Sequence, residues 1–247
     1  PLKLLQYCIS YIIPKNNRII IYGAWYGELF ADNAKYVYLE ASKDKSYKNV
    51  WISRNKDVVE TLKQEGYDAE YMFSAKGIAY QLIAGKAVVC VGYTDLCRPL
   101  IAHKKILNLW HGVPLKKIVY DVSKPGFLER FQDIFFRDTR VLYTSRNYYE
   151  IYKRCFGKDD NHLFLCGQPR NDVFYDSSLI DQSALKKFKD IVGNGSIVLY
   201  MPTHRHEGKD KLNLDRRIDF KRLERFCECH GVKFVIKKHF YHLSEPL

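Results

Sequence analysis

The chain has 247 residues, 47% hydrophobic and 15% aromatic, which is enough apolar material for a sizeable core and excludes a disordered composition. Lysine and arginine number 40 against 28 acidic residues, so the net charge is +12. That excess points to anionic partners without choosing among nucleic acid, anionic lipid and small phosphorylated ligands. No apolar run approaches the roughly 20 residues that a membrane-spanning helix needs.

The first segment, residues 1–17, places Leu2, Leu5, Cys8, Ile9, Ile12 and Ile13 at helical spacing, with a lysine at either end. This predicts an amphipathic helix that rests on the domain, on a neighbour or on a membrane surface. After Pro14 short apolar runs alternate with longer amphipathic ones. RIIIYG (18–23), NVWIS (49–53), AEYMF (69–73), AVVCVG (87–92), KILNLW (105–110), VLYTS (141–145) and HLFLCG (162–167) read as strands. Residues 57–65, 75–84 and 147–155 between them read as helices. Continuous rather than alternating apolar strands separated by helices predict a parallel sheet covered on both faces. Residues 18–178 are therefore expected to form a Rossmann-like α/β domain.

A second domain is expected over 179–247. SLIDQSALKKFKDIVGNG predicts a helix ended by Gly193 and Gly195, SIVLYMPTHR a strand, 218–229 a basic helix and KFVIKKH a second strand. Two strands fall short of the roughly five of an ordinary sheet. The domain is accordingly expected to be incomplete in this chain, lacking on the order of 100 residues.

Residues 1–100 carry 13 basic and 10 acidic side chains, while residues 101–247 carry 27 and 18, so three-quarters of the excess lies in the second part. Seven cysteines, at 8, 90, 97, 155, 166, 227 and 229, show no repeated spacing and suit a reducing compartment. Cys227, Cys229 and His230 form a CxCH without a second ligand pair, so no metal is expected.

In open parallel sheets ligands bind outside the carboxyl ends of the strands, and four polar clusters fall there. His111-Gly112-Val113-Pro114-Leu115-Lys116-Lys117 follows KILNLW. Its histidine suits a general base, or equally a core histidine bonded to a neighbouring strand, and Gly112 lets backbone or substrate approach closely. Gly167-Gln168-Pro169-Arg170-Asn171-Asp172 follows HLFLC, and its Arg170 and Asp172 serve either a ligand or an internal ion pair. Pro202-Thr203-His204-Arg205 ends one strand of the second domain and Lys237-Lys238-His239 the other. Cations and donors at strand ends suit a pyrophosphate leaving group, though each of these two clusters alone also fits a solvated basic loop. No P-loop, GxGxxG or GxSxG is present.

Taken in order, these segments resemble the CDP-glycerol glycerophosphotransferase family, the teichoic acid polymerases and primases. The resemblance runs from RIIIYG and DNAKYVYLE (32–40) through NVWIS, WHGVPLKK (110–117), GQPRND (167–172) and LYMPTHR (199–205) to the closing KKH, nearly the whole chain. It implies a GT-B-like α/β fold with two Rossmann-like domains: an acceptor domain, 18–178, and a CDP-donor domain, 179–247. His111 then matches the base that deprotonates an acceptor hydroxyl, with His239 as the second catalytic histidine, beside the donor pyrophosphate. Gly112, Lys116, Lys117, Arg170, Asp172, Thr203, Arg205 and Lys237 become substrate-binding residues. The chain departs from the family pattern at Phe240, where a proline is usual, and at His204, where an aromatic is common.

The implied reaction moves glycerol phosphate or ribitol phosphate from CDP-glycerol or CDP-ribitol to a hydroxyl of a cell-surface polymer or its lipid-linked primer, releasing CMP, with no cofactor and no metal. The implied location is cytoplasmic, peripheral at the inner face of the cell membrane, on an anionic surface. A GT-B glycosyltransferase using a nucleotide-sugar is the nearest rival. A non-catalytic polymer- or nucleic-acid-binding protein is a rival of another class. The basic residues track strand ends rather than a recognition helix or aromatic platform, which counts against nucleic acid.

Overall fold

The computed structural model describes residues 2–124, 126, 133–202, 211 and 213–238. The chain divides between Asp176 and Ser177 into two units. In the first, the seven predicted apolar runs are strands: β1 (Asn16–Gly23), β2 (Lys48–Ser53), β3 (Ala69–Tyr71), β4 (Ala84–Val89), β5 (Lys105–Asn108), β6 (Thr139–Tyr143) and β7 (Leu163–Leu165). All neighbours pair in parallel, in the order β3-β2-β1-β4-β5-β6-β7. The chain reverses its direction of travel across the sheet between β1 and β4, which makes their carboxyl ends the switch point where such sheets bind ligands.

Because the sheet is parallel, both faces need cover. On one face lie α2 (Asp32–Ala41) and α3 (Lys56–Gln64), whose Tyr38 and Leu62 join Tyr22, Trp51, Val88 and Leu142 in a buried cluster. Tyr38 meets Tyr22 and Trp51 edge-on, with ring centroids 5.1 and 5.6 Å apart. Each such fully buried side chain contributes roughly 1.5–3 kcal/mol. On the other face α1 (Leu2–Ile12) and α4 (Ala75–Ile83) flank a core built on Ile21, Val50, Ile52, Val89 and Ile106. The last helix of this unit, α5 (Tyr149–Phe156), ends at Gly157 with φ 58° and buries Tyr152 against Val141 and Tyr143.

One alternative that the sequence left open, and two strand boundaries that differ from the expected ones, have physical causes. The apolar stripe of α1 is not its packing face. The helix docks through Tyr7, which stacks on Phe135 at 5.1 Å, and through buried Ser10, while Leu5, Cys8, Ile9 and Ile12 stay exposed. The strand predicted over 87–92 runs instead over 84–89, because the N–H groups of Cys90 and Val91 turn onto the Asp95 carboxylate rather than continue the ladder. The strand predicted over 105–110 stops at Asn108, whose Oδ1 accepts from Trp110 N at 3.0 Å as Trp110 turns left-handed.

A buried lysine amine lies at the opposite end of the sheet. Lys104, 2% exposed, donates to the carbonyl oxygens of Leu82 and Ala84, and burial pushes its pKa down to about 6.

In the second unit Asp181 caps α6 (Gln182–Val192) through Ala184 N. Then come β8 (Ser196–Tyr200), the short α7 (Leu214–Arg217), α8 (Phe220–His230) and β9 (Val232–Ile236). The two strands pair in parallel from Ser196↔Val232 to Tyr200↔Ile236. On α8 the His230 ring stacks on Phe226 at 4.1 Å, and among the described residues no metal-binding group of His, Cys, Asp or Glu is gathered.

Candidate active site

The turn after β5 carries His111. Its backbone is held from several sides: Leu109 N donates to Val89 O, Trp110 N is taken by Asn108, and Tyr152 Oη donates to Gly112 O at 2.9 Å. Trp110 adopts φ 52° and Gly112 φ 151°, a conformation that a side chain at 112 would strain. The His111 ring lies against two indoles, 4.2 Å from Trp110 and 5.7 Å from Trp25, centroid to centroid. Its Nδ1 is buried with no hydrogen-bond partner. Burial lowers the imidazole pKa below 6.5, and the Arg170 guanidinium adds to this, while the Asp32 carboxylate and the Cys90 backbone pull the other way. The net result is a ring that is neutral at pH 7, the state in which it accepts a proton.

The segment between β1 and α2 forms the facing wall. Trp25, Tyr26 and Asp32 all have left-handed φ values of 48°, 61° and 61°. Together with Trp110 they gather backbone strain of about 1–3 kcal/mol per residue around one side chain, as functional sites commonly do. Asp95 fixes this wall from beneath. Its carboxylate, wholly buried, accepts from Tyr26 N at 2.8 Å and from Cys90 N and Val91 N at 2.7 Å each. Burial raises its pKa to about 6 against the pull of those N–H groups. An internal carboxylate thus fills, at the β1–β4 switch point, the N–H nest that in other sheets of this kind takes a ligand phosphate.

The turn after β7 closes the site. Arg170 donates through Nη1 to Asp32 Oδ1 at 2.9 Å, with the aspartate side chain 5% and the arginine 36% exposed. Its Nη2 lies 3.6 Å from where a Cβ on Gly112 would stand. Asn33, wholly buried in the first of these segments, bonds to the other two. Its Nδ2 donates to Trp110 O at 2.8 Å and to Gln168 Oε1, and its Oδ1 accepts from Arg170 N at 3.1 Å.

A family model for CDP-glycerol:poly(glycerophosphate) glycerophosphotransferases matches residues 5–246. The chain belongs to that family. It is 27% identical over 250 residues to a teichoic acid poly(glycerol phosphate) polymerase of Bacillus spizizenii (strain W23), covering 93% of this chain and 61% of that protein. It is 25% identical over 239 residues to the teichoic acid ribitol-phosphate polymerase TarK of Staphylococcus aureus (strain NCTC 8325), covering 91% and 44%. A solved structure of the wall teichoic acid polymerase TagF superposes with a TM-score of 0.71 at 21% identity, over 99% of this chain and 63% of that one, a likeness of fold. The α/β, GT-B-like fold class expected from the sequence is therefore the one the chain has. The chain spans 61% or less of the length of these two curated relatives.

The structure brings His111, Gly112 and Arg170 together. The internal pair considered for Arg170 and Asp172 is not the one formed: Arg170 takes Asp32, and Asp172 is exposed with its backbone oxygen capping Tyr175 and Asp176. Lys116 and Lys117 are exposed, and Lys117 helps Arg154 hold the Asp121 carboxyl down to about 2. Lys237 is exposed just past β9, its N–H bonded to Tyr200 O. Thr203, Arg205 and His239 lie outside the described residues. Sequence reasoning missed Trp25, Asp32, Asn33 and Asp95. The one signal available was an Asp-Asn pair opening a helix directly after a strand and loop, since these residues tolerate left-handed backbone.

Proposed function

We propose that this protein transfers a polyol phosphate, glycerol phosphate or ribitol phosphate, from a CDP-linked donor to a hydroxyl of a cell-surface polymer or its lipid-linked primer. The observation that carries this reading is His111: a half-buried imidazole below its ordinary pKa, held at a strand end beside a guanidinium by backbone in strained conformations. The ring takes the proton of the acceptor hydroxyl. The acceptor oxygen bonds to the polyol-bearing phosphorus, the bond from that phosphorus to the bridging pyrophosphate oxygen breaks, and CMP leaves with that oxygen. Arg170, Lys116, Lys117 and Gly112 serve phosphate oxygens on the acceptor side, and Asp172 a polyol hydroxyl. Thr203, Arg205, Lys237 and His239 serve the donor pyrophosphate and the phosphate of the departing CMP. The donor is a substrate, and the reaction needs no cofactor and no metal.

The similarity to both glycerol-phosphate and ribitol-phosphate polymerases supports the polyol phosphate class. No helix of the described residues is long and apolar enough to cross a membrane. The exposed stripe Leu5, Cys8, Ile9 and Ile12, with the +12 charge, supports peripheral attachment to an anionic membrane surface at the cytoplasmic face.

A donor screen tests the reading. With a primed acceptor, CDP-glycerol or CDP-ribitol is expected to release CMP at a rate at least tenfold above that of nucleotide release from UDP- and GDP-sugars, a gap of about 1.4 kcal/mol in transition-state binding. Preferential turnover of a nucleotide-sugar would make the protein a glycosyltransferase instead.

A further inference from the structure

We propose that Asn33 is a positioning residue for the transfer step, its single amide holding the three strand-end turns that carry Asp32, His111 and Arg170 in one register. The inference rests on the reading of His111 as the base. A primary amide offers two N–H donors and one carbonyl acceptor. In Asn33 both donors and the acceptor are used, on Trp110 O, Gln168 Oε1 and Arg170 N, so one bond ties the segment after β1 to the turn after β5 and two tie it to the turn after β7. Those partners lie 77, 135 and 137 residues away in sequence, and the amide is wholly buried.

The bond to Trp110 O acts on the residue next to His111, in a turn where Trp110 has φ 52° and Gly112 φ 151°. Backbone of that kind persists only where its surroundings over-determine it. Take the Asn33 donors away and the Trp110 carbonyl is left buried without this partner, so the turn has reason to rotate toward unstrained values. The imidazole moves with it. The bond to Arg170 N does the same for the guanidinium that lies over Gly112. No other side chain of this size supplies the same set: aspartate turns both donors into acceptors facing two oxygens, and serine reaches one partner at most.

A merely structural amide would lower the fraction of folded protein and nothing else, whereas a positioning amide alters the chemistry of the molecules that remain folded. In the full-length protein, Asn33→Ala is expected to unfold cooperatively and to lower kcat for CMP release by about 30-fold or more, since a shift near 1 Å costs on the order of 100-fold. KM for the CDP-polyol is expected to stay within about threefold, the split that marks an interaction used in the transition state. Asn33→Asp adds a carboxylate beside the turn and is expected to raise the midpoint of the His111 ring titration followed by NMR, a readout independent of turnover. Should Asn33→Ala fail to fold, Gln168→Ala, which removes one of the three bonds, is expected to show the same kcat-specific loss at about tenfold.

A folded Asn33→Ala or Gln168→Ala with kcat within threefold of the parent overturns the proposal, as does an unmoved His111 titration in Asn33→Asp. If His111→Ala keeps its turnover, the reading of the base fails instead, and the NMR titration still decides whether Asn33 governs the His111 environment.

Discussion

His111→Ala is expected to lower CMP release by about 10²–10⁴-fold, the range that a positioned general base supplies. Donor binding is expected to change little, because the ring acts on the acceptor hydroxyl. The wild-type acid limb is expected below pH 6.5, since burial and Arg170 depress the imidazole pKa more than Asp32 and the Cys90 backbone raise it. The two flanking charges then act with opposite sign. Arg170→Met removes a depressing charge and is expected to move the acid limb up in pH, while Asp32→Asn removes a raising charge and is expected to move it down. The pH dependence of kcat/KM for the three proteins measures this directly, and limbs that move together, or an active His111→Ala, contradict the assignment.

Asp95→Ala is expected to destabilise the first unit by on the order of 3 kcal/mol or more, because each buried N–H left without an acceptor costs about 1–3 kcal/mol. Tyr26, Cys90 and Val91 all lose their acceptor at once. A loss of that size is a large share of the roughly 5–15 kcal/mol of a typical domain. The pH dependence carries a sign. The folded-state pKa of Asp95 is raised from 3.8 to about 6, so the folded protein binds the extra proton between those values. Stability on this residue's account is full below about pH 4 and declines as pH rises through about 6. Denaturant unfolding from pH 4 to 7 is expected to show that decline in the parent and not in Asp95→Ala.

The strands were the most legible part of the chain. RIIIYG, NVWIS and AVVCVG are continuous rather than alternating, and a run of that kind is buried on both faces, so the parallel sheet followed from pattern alone. The strand ends were less legible. Nothing local in AVVCVG says that Cys90 and Val91 leave the ladder for a carboxylate at position 95, because that choice is made by side chain and backbone meeting in three dimensions. What α1 packs against stays open in the sequence for a related reason. Periodicity finds an apolar stripe but not what it touches, and Tyr7 found Phe135 while Ile9 and Ile12 found solvent.

At the site, His111 and Arg170 were visible as polar residues at strand ends, where parallel sheets bind ligands. Their neighbours were not. Asn33 reads as an ordinary residue in the first turn of a helix, and its role exists only because partners 77 and 135 residues away fold onto it. Asp32 reads the same way, and only the fold pairs Arg170 with it rather than with Asp172.

The central claim is that phosphorus, and not a sugar carbon, is the centre attacked. A donor labelled with ³²P in the phosphate next to glycerol or ribitol separates the two. If the acceptor oxygen attacks that phosphorus, the label enters the acid-stable polymer and the nucleotide released is unlabelled CMP. Attack at carbon would leave the label on a released CDP, and that result would contradict the account.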